Sequence, residues 1–348
     1  MLFANCLSLK SRWIILLLLI LSFGLKTKAQ NTYFYKIFNP FTSPGKFIIK
    51  DLKFSPDGKV WLGTPEGLYM FNGFKFALNP LTIKKEGAYY CENIESIELI
   101  DQNTLIVGTY ECGAFFFDTK AEKFTQIPII TNDGKEPYQR VNSVYKDDFG
   151  RVWAGTDDSK LFLLDKQKKQ LVQIPARALN KTKFGVCHSY SIDPYDSNFL
   201  WVGSTNGFMK LDTRSYEYFN YRITDFSKIN LNINAVRGIY ASKDSNIYCG
   251  VWGGGMVKFN PYTNKFYQSI IETDTPLTGA QNVVRDIVYK SDTELWLATH
   301  NYGIGIFNTE NLKIDFINKS WNISFMPEDR FFCLDKDLYG NIWAGGDI

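Results

Sequence analysis

The chain holds only two histidines, His188 and His300. No Gly-x-Ser-x-Gly, His-Glu-x-x-His or phosphate-binding loop accompanies them. Neither nucleophilic nor zinc-assisted hydrolysis therefore has a complete set of groups. Gly253-Gly254-Gly255 is glycine-rich, but it joins two strand-like segments and opens no helix, as a phosphate cradle must. Carboxylates are abundant, and Asp157 and Asp158 are candidates for an acid/base pair. Adjacent aspartates more commonly form a solvated turn. Binding chemistry is better represented. Arg237 and Arg285 suit bidentate contact with a carboxylated or sulfated ligand. Trp252, on its glycine-rich loop, suits a sugar ring or an interface, with packing on a neighbouring loop as the plain alternative. No cofactor or metal is expected.

A repeat must position these residues. Val60-Trp61-Leu62-Gly63-Thr64 recurs as Leu105–Thr109, Val152–Thr156, Leu200–Ser204, Ile247–Gly250, Leu295–Thr299 and Ile342–Gly345. Its large residue falls at Trp61, Ile106, Trp153, Trp201, Tyr248, Trp296 and Trp343, at spacings of 45, 47, 48, 47, 48 and 47. Upstream of it lies a short apolar strand and an Asp/Asn/Gly turn, as in Ser55-Pro56-Asp57-Gly58 and Asp147-Asp148-Phe149-Gly150. Downstream comes a strand ending in Asn or Asp, such as Gly67–Asn72, and then an aromatic strand such as Phe74–Phe76. Four short antiparallel strands, a to d, every 40–50 residues or so describe a propeller blade. The fold class is all-β: a β-propeller of about seven four-stranded blades over residues 30–348, the last incomplete. Strand b is apolar on both faces because it lies between two neighbouring blades. Its Trp anchors an inter-blade contact, and the Gly two residues on lets the neighbour approach.

Strand order fixes which loops meet. The a–b and c–d turns share one rim, and the d–a and b–c loops share the other, where variable residues sit on a rigid scaffold. Eleven residues before the strand-b aromatic lie Lys50, Glu95, Asn142, Arg237, Arg285 and Phe332, with His188 equivalent in blade four after a two-residue insertion. At the start of the innermost strand they are candidates to ring the mouth of the central channel, or are ordinary solvated strand ends. The b–c loops add Tyr110, Glu111, Asp157, Asp158, Trp252, His300, Asn301 and Tyr302.

Aromatic residues make up 16% of the chain, which suits packed sheets. The net charge is +3 with no basic run, so nothing points to nucleic acid. Lys10 and Arg12 precede an apolar run from Trp13 to Leu25, followed by Thr27 and Ala29 as small residues. This is the pattern of a signal peptide, residues 1–29, cut after Ala29. An uncleaved anchor is the alternative, although the run is short for a membrane span. No later segment is long and apolar enough to span a membrane. Five cysteines follow, an odd number without a C-x-x-C pair, so a disulfide framework or zinc site is not expected.

The pattern Asp-x-x-Gly-x-x-Trp-x-Gly-Thr and then Gly-Leu-x-x-Phe-Asn, clearest over Ser55–Asn72, resembles the two-component regulator propeller repeat. Copies two and five depart from it, with Ile106 and Tyr248 for Trp. WD-repeat and Kelch signatures do not fit. The resemblance implies a periplasmic sensor region of a hybrid two-component histidine kinase, sensing oligosaccharides. A Tyr-rich sandwich, a membrane span and a kinase follow such propellers in that family. Ile348 falls inside strand b of the seventh blade, so the chain reads as the N-terminal part of a longer protein or a shortened product. The implied partners are an oligosaccharide, anionic if the arginines engage it, and a downstream kinase region or a second copy. A secreted propeller hydrolase or lyase and a protein-interaction scaffold are the other readings. Tyr33–Phe38 is expected to serve as the outer strand of blade seven, which would lack its strand c and leave the ring open there.

Overall fold

A computed structural model describes residues 47–81, 91–135, 139–223, 234–269, 283–317 and 330–347. The signal-peptide segment and Tyr33–Phe38 lie outside the described residues. The described secondary structure is entirely strand and turn, in seven sheets. Blade one runs Asp51–Phe54, Val60–Thr64, Gly67–Phe71 and Phe76–Asn79, each strand antiparallel to the next. Blades two, five and six repeat this four-stranded order. Blades three and four have five strands, because Ile129–Ile130 and Arg177–Ala178 each add in parallel to the outer edge of the following blade. The linker between blades thus covers a sheet edge that would otherwise expose unpaired backbone groups. Blade seven shows strands a and b, Phe331–Lys336 and Ile342–Gly346.

The seven a strands form a closed circle, each touching the next and the last touching the first. Ile48 bridges Asp347, and Ile49 N donates to Gly346 O at 3.1 Å. The inner strands of blades seven and one thus meet, while the expected opening beside Tyr33–Phe38 falls outside the described residues. This contact is made by the backbone at the mouth ends of strand a of blade one and strand b of blade seven.

Packing explains the repeat. Val60–Thr64 and Val152–Thr156 are buried along their whole length, as a strand between two blades must be. Trp61 packs edge-on against Phe117 of blade two, and Trp343 against Phe54 of blade one. A Cβ at Gly108 would stand 2.7 Å from the carbonyl oxygen of Val141 in the next blade, so this position cannot carry a side chain. In the a–b turns Gly150 takes φ 73°, and Ser245 takes φ 64° at the matching position of blade five. The turn geometry is kept there even without glycine.

Opposite the strand-b glycine (Ala298 in blade six) stand Asp51, Ser96, Ser143, Ser189, Gly238, Asp286 and Cys333. Several of these clasp the next blade. Asp51 Oδ2 accepts from Ser96 Oγ and Ile97 N, both at 2.8 Å. Ser96 Oγ accepts in turn from Val144 N at 3.2 Å, and Asp286 Oδ2 from Leu334 N at 2.8 Å. Buried backbone N–H groups that no strand partner can reach are satisfied this way.

Cys91 and Cys112 form a disulfide, a single bridge where no disulfide framework was expected. One lies just before strand a of blade two and the other in the b–c loop of the same blade. The a–b hairpin returns the chain to the same rim and brings the two together. Cys187, Cys249 and Cys333 are buried thiols, and burial pushes Cys187 up to about 12.

Candidate functional site at the channel mouth

In six blades the residue singled out at the start of strand a, eleven places before the large strand-b residue and thirteen in blade four, is an extra residue in that strand. Register breaks between Ile94/Ser96, Val141/Ser143, Cys187/Ser189, Val236/Gly238, Val284/Asp286 and Phe331/Cys333. Glu95, Asn142, His188, Arg237, Arg285 and Phe332 thus occupy bulges, which take a side chain out of the sheet alternation and re-aim it. Lys50 occupies the corresponding place ahead of Asp51 in blade one, its N donating to Gly63 O at 2.9 Å.

A second set of residues converges by a backbone device. The first b–c loop residue donates its N–H to the carbonyl two residues before the bulge: Tyr110 to Asn93, Asp157 to Arg140, Trp252 to Ala235, His300 to Val283 and Asp347 to Arg330. This places the loop side chains beside the bulged ones. Arg140, Arg330, Asn93 and Asp347 join the mouth in the same way, and sequence reasoning missed them. The signal was present in the spacing, since Arg140 and Arg330 both stand thirteen residues before Trp153 and Trp343.

The mouth has two halves. In blades one to three the charges neutralise one another. Lys50 Nζ donates to Glu95 Oε1 and, at 2.6 Å, to Asn93 Oδ1. Arg140 pairs with Glu95 at 3.3 Å and with Asp157 at 3.9 Å, and stacks on the Tyr110 ring at 4.3 Å. Asn142 Nδ2 donates to Asp157 Oδ1 at 3.3 Å.

In blades four to six the mouth cations lack such partners among the described residues. Arg237 Nη1 donates to His188 Nδ1 at 3.1 Å, and Arg285 Nε to His300 Nδ1 at 3.3 Å. Both guanidiniums lie over Trp252, at 5.2 and 5.1 Å from its ring centroid, and Arg285 also lies over Phe332 at 4.6 Å. Trp252 is half-buried beneath these cations rather than an exposed platform. Burial, with the nearby Arg237, Arg140 and Arg285, holds His188 well below the ordinary histidine range. Burial, with Arg285 and Arg330, lowers His300 to about 4. Burial and Arg237 lower Arg285 to about 10. Arg237 and Arg285, from adjacent blades, meet over the one Trp252 ring, which places them at one opening.

The remaining candidates lie elsewhere. Asp158 accepts from Thr156 Oγ1 at 2.5 Å, pairs with Lys160 at 3.0 Å and lines an outer groove of about 670 Å³ with Lys183 and Phe184. Asp157 and Asp158 therefore hold different partners and do not form a carboxylate pair. Tyr302 packs against Phe316 of the outer strand, the ring centroids 5.6 Å apart. Glu111 is half-buried beside Cys112, and Asn301 is exposed. Among the described residues no three His, Cys, Asp or Glu side chains gather as a metal site, and no helix is long and apolar enough to cross a membrane.

Residues 135–158 match the family model described as two component regulator propeller. They span strands a and b of blade three, one unit of the seven-fold pattern. The chain carries a two-component regulator propeller repeat. Its fold is similar to the extracellular domain of the putative hybrid two component system BT4673 from B. thetaiotaomicron, with TM-score 0.67, 17% identity and 88% of this chain covered. The corresponding domain of BT3049 from B. thetaiotaomicron gives 0.66, 18% and 86%. The WD40 propeller domain of Doa1 gives 0.60, 12% and 86%, with 90% of that chain covered. The propeller spans 38% of the length of each of the two bacterial domains. No curated protein matches it in sequence.

Proposed function

We propose that this chain is the ligand-sensing propeller of a two-component signalling protein, exported to the periplasm, that receives an oligosaccharide at the channel mouth. The observation that carries this reading is the convergence at one opening of Trp252, Tyr110 and Phe332 with Lys50, Glu95, Asn142, His188, Arg237 and Arg285. Polar groups held in place over aromatic rings around one opening suit the hydroxyl groups of a sugar. The regulator repeat and the likeness to extracellular sensor domains support the signalling role. They also favour a regulatory chain over an enzyme. Kinase action belongs to a downstream region in this reading, and cleavage of the signal peptide after Ala29 would release the mature chain.

A thermal-shift screen against oligosaccharides tests the proposal. Saturable stabilisation without product supports it. Turnover of the glycan would make the protein a hydrolase or lyase instead. Stabilisation that survives mutation of the mouth but is lost on changing the Asp57 or Asp148 turns would move the site to the opposite rim.

A further inference from the structure

The lysine and arginines of the mouth in blades one to three and in blade seven each have an opposite charge beside them. Lys50 has Glu95, Arg140 has Glu95 and Asp157, and Arg330 has Asp347 at 2.8 Å. Arg237 and Arg285 form no ion pair among the described residues; their side-chain hydrogen bonds go to imidazoles. A guanidinium has no acceptor, so the imidazole nitrogen facing it must accept. His188 therefore carries its proton on Nε2. That nitrogen is buried without a partner, as are Arg237 Nε and, among the ion-paired arginines, Arg140 Nε and Arg330 Nε; what sets Arg237 and Arg285 apart is the lack of a carboxylate beside them. Leaving such donors unsatisfied costs free energy, more so for a charged group. Among the described residues the half-ring thus presents positive charge without a carboxylate to balance it, together with the unpartnered N–H groups of His188 and Arg237, which a neutral hydroxyl satisfies only in part.

We propose that blades four to six form an oxyanion site, in which Arg237, Arg285 and the Nε2–H of His188 hold a carboxylate or sulfate carried by the ligand. The two arginines come from adjacent blades and share Trp252, so one anionic group bridges both while the sugar ring that bears it lies toward the mouth. The histidines act as positioning residues, since their Nδ1 atoms hold each guanidinium in place. The ligand class that follows is an acidic saccharide, a uronic acid or sugar sulfate. The proposal rests on the reading of the mouth as the ligand face.

Calorimetric titration at fixed ionic strength tests it, with glucuronate, a uronate-containing disaccharide, its carboxyl-reduced counterpart and inorganic sulfate as probes. The acidic disaccharide should bind at least tenfold more tightly than the reduced one, as loss of a charge-assisted pair predicts. Arg237→Gln with Arg285→Gln should remove that advantage, and the paired lysyl variant (both arginines to Lys) should retain part of it. Arg214→Gln, in a c–d turn on the opposite rim and paired with Asp212 at 2.8 Å, should change it less than threefold. Melting temperature and circular dichroism of each variant establish folding. Equal affinity for acidic and reduced disaccharides, binding indifferent to the two arginines, or no binding of any anionic probe would overturn the site. Arginine-dependent binding of sulfate and glucuronate, with no gain for any disaccharide, would leave the anion site standing and sink the oligosaccharide reading instead.

Discussion

Asp147 accepts the indole N–H of Trp153 through Oδ2 at 3.0 Å. The same carboxylate accepts from Arg151 Nε at 2.6 Å, and its other oxygen from the N–H groups of Phe149 and Arg151. The turn that links strands a and b is thereby tied to the residue that fills the inter-blade gap. Asp193–Trp201, Asp337–Trp343 and Asp244–Tyr248 repeat the bond in blades four, seven and five. In blade six Glu294 replaces the turn aspartate as partner of Trp296.

Trp153 is fully buried, so Trp153→Ala should cost roughly 3–5 kcal/mol, as large core truncations do. Asp147→Ala should cost about 3 kcal/mol, because it strands the indole N–H and the partly buried Arg151. Urea denaturation of both variants provides the measurement. An Asp147→Ala variant as stable as the parent would show that water replaces the carboxylate.

Blade one lacks this bond. Ser55 occupies the position of Asp147, and the buried Trp61 Nε1 has no partner. Ser55→Asp should supply the acceptor and stabilise the fold by about 1 kcal/mol. Its Tm should rise, whereas Ser55→Ala should not raise it. A drop in the Ser55→Asp variant would mean that repulsion from Asp57 outweighs the new bond.

The Cys91–Cys112 bridge closes a 21-residue separation and joins the two loops of blade two at the mouth. Its loss, by reductant or by Cys91→Ala with Cys112→Ala, should cost roughly 3 kcal/mol through the entropy of the unfolded chain. Comparing Tm with and without reductant, the double variant serving as control, measures it. An unchanged Tm under full reduction would show that the loops are held by their hydrogen bonds alone.

Buried titrating groups give a pH signature. Burial pushes Asp51 and Asp286 up to about 6, against roughly 3.9 in an unfolded chain. The folded state then holds more protons between about pH 4 and 6, so the stability these two contribute declines as pH rises through that window. His188 and His300 act oppositely. Both are depressed, so their contribution is lost as pH falls from about 6.5. The opposed slopes mask each other in the parent protein. The stability of Asp51→Asn or Asp286→Asn minus that of the parent should therefore increase by about 2–3 kcal/mol from pH 4 to pH 7. Denaturant midpoints at several pH values test this. A difference independent of pH would show that these carboxyls ionise as freely as exposed ones.

The sequence alone determined the architecture. The period at Trp61, Trp153, Trp201, Trp296 and Trp343, the turn residues and the doubly apolar strand b are local signals repeated along the chain, and repetition makes a weak signal strong. It also put Lys50, Glu95, Asn142, His188, Arg237 and Arg285 in register at one end of the innermost strand. Tertiary structure decided how they are used. Strand periodicity of two does not reveal a bulge, so the turning of these side chains out of the alternation was invisible until strand a met strand b. Which arginine finds a carboxylate depends on blades nearly fifty residues apart in the chain, as with Glu95 and Arg140. The Cys91–Cys112 bond likewise depends on a hairpin bringing two loops to one rim. Spacing specifies what repeats; pairing between neighbouring blades depends on the closure of the ring.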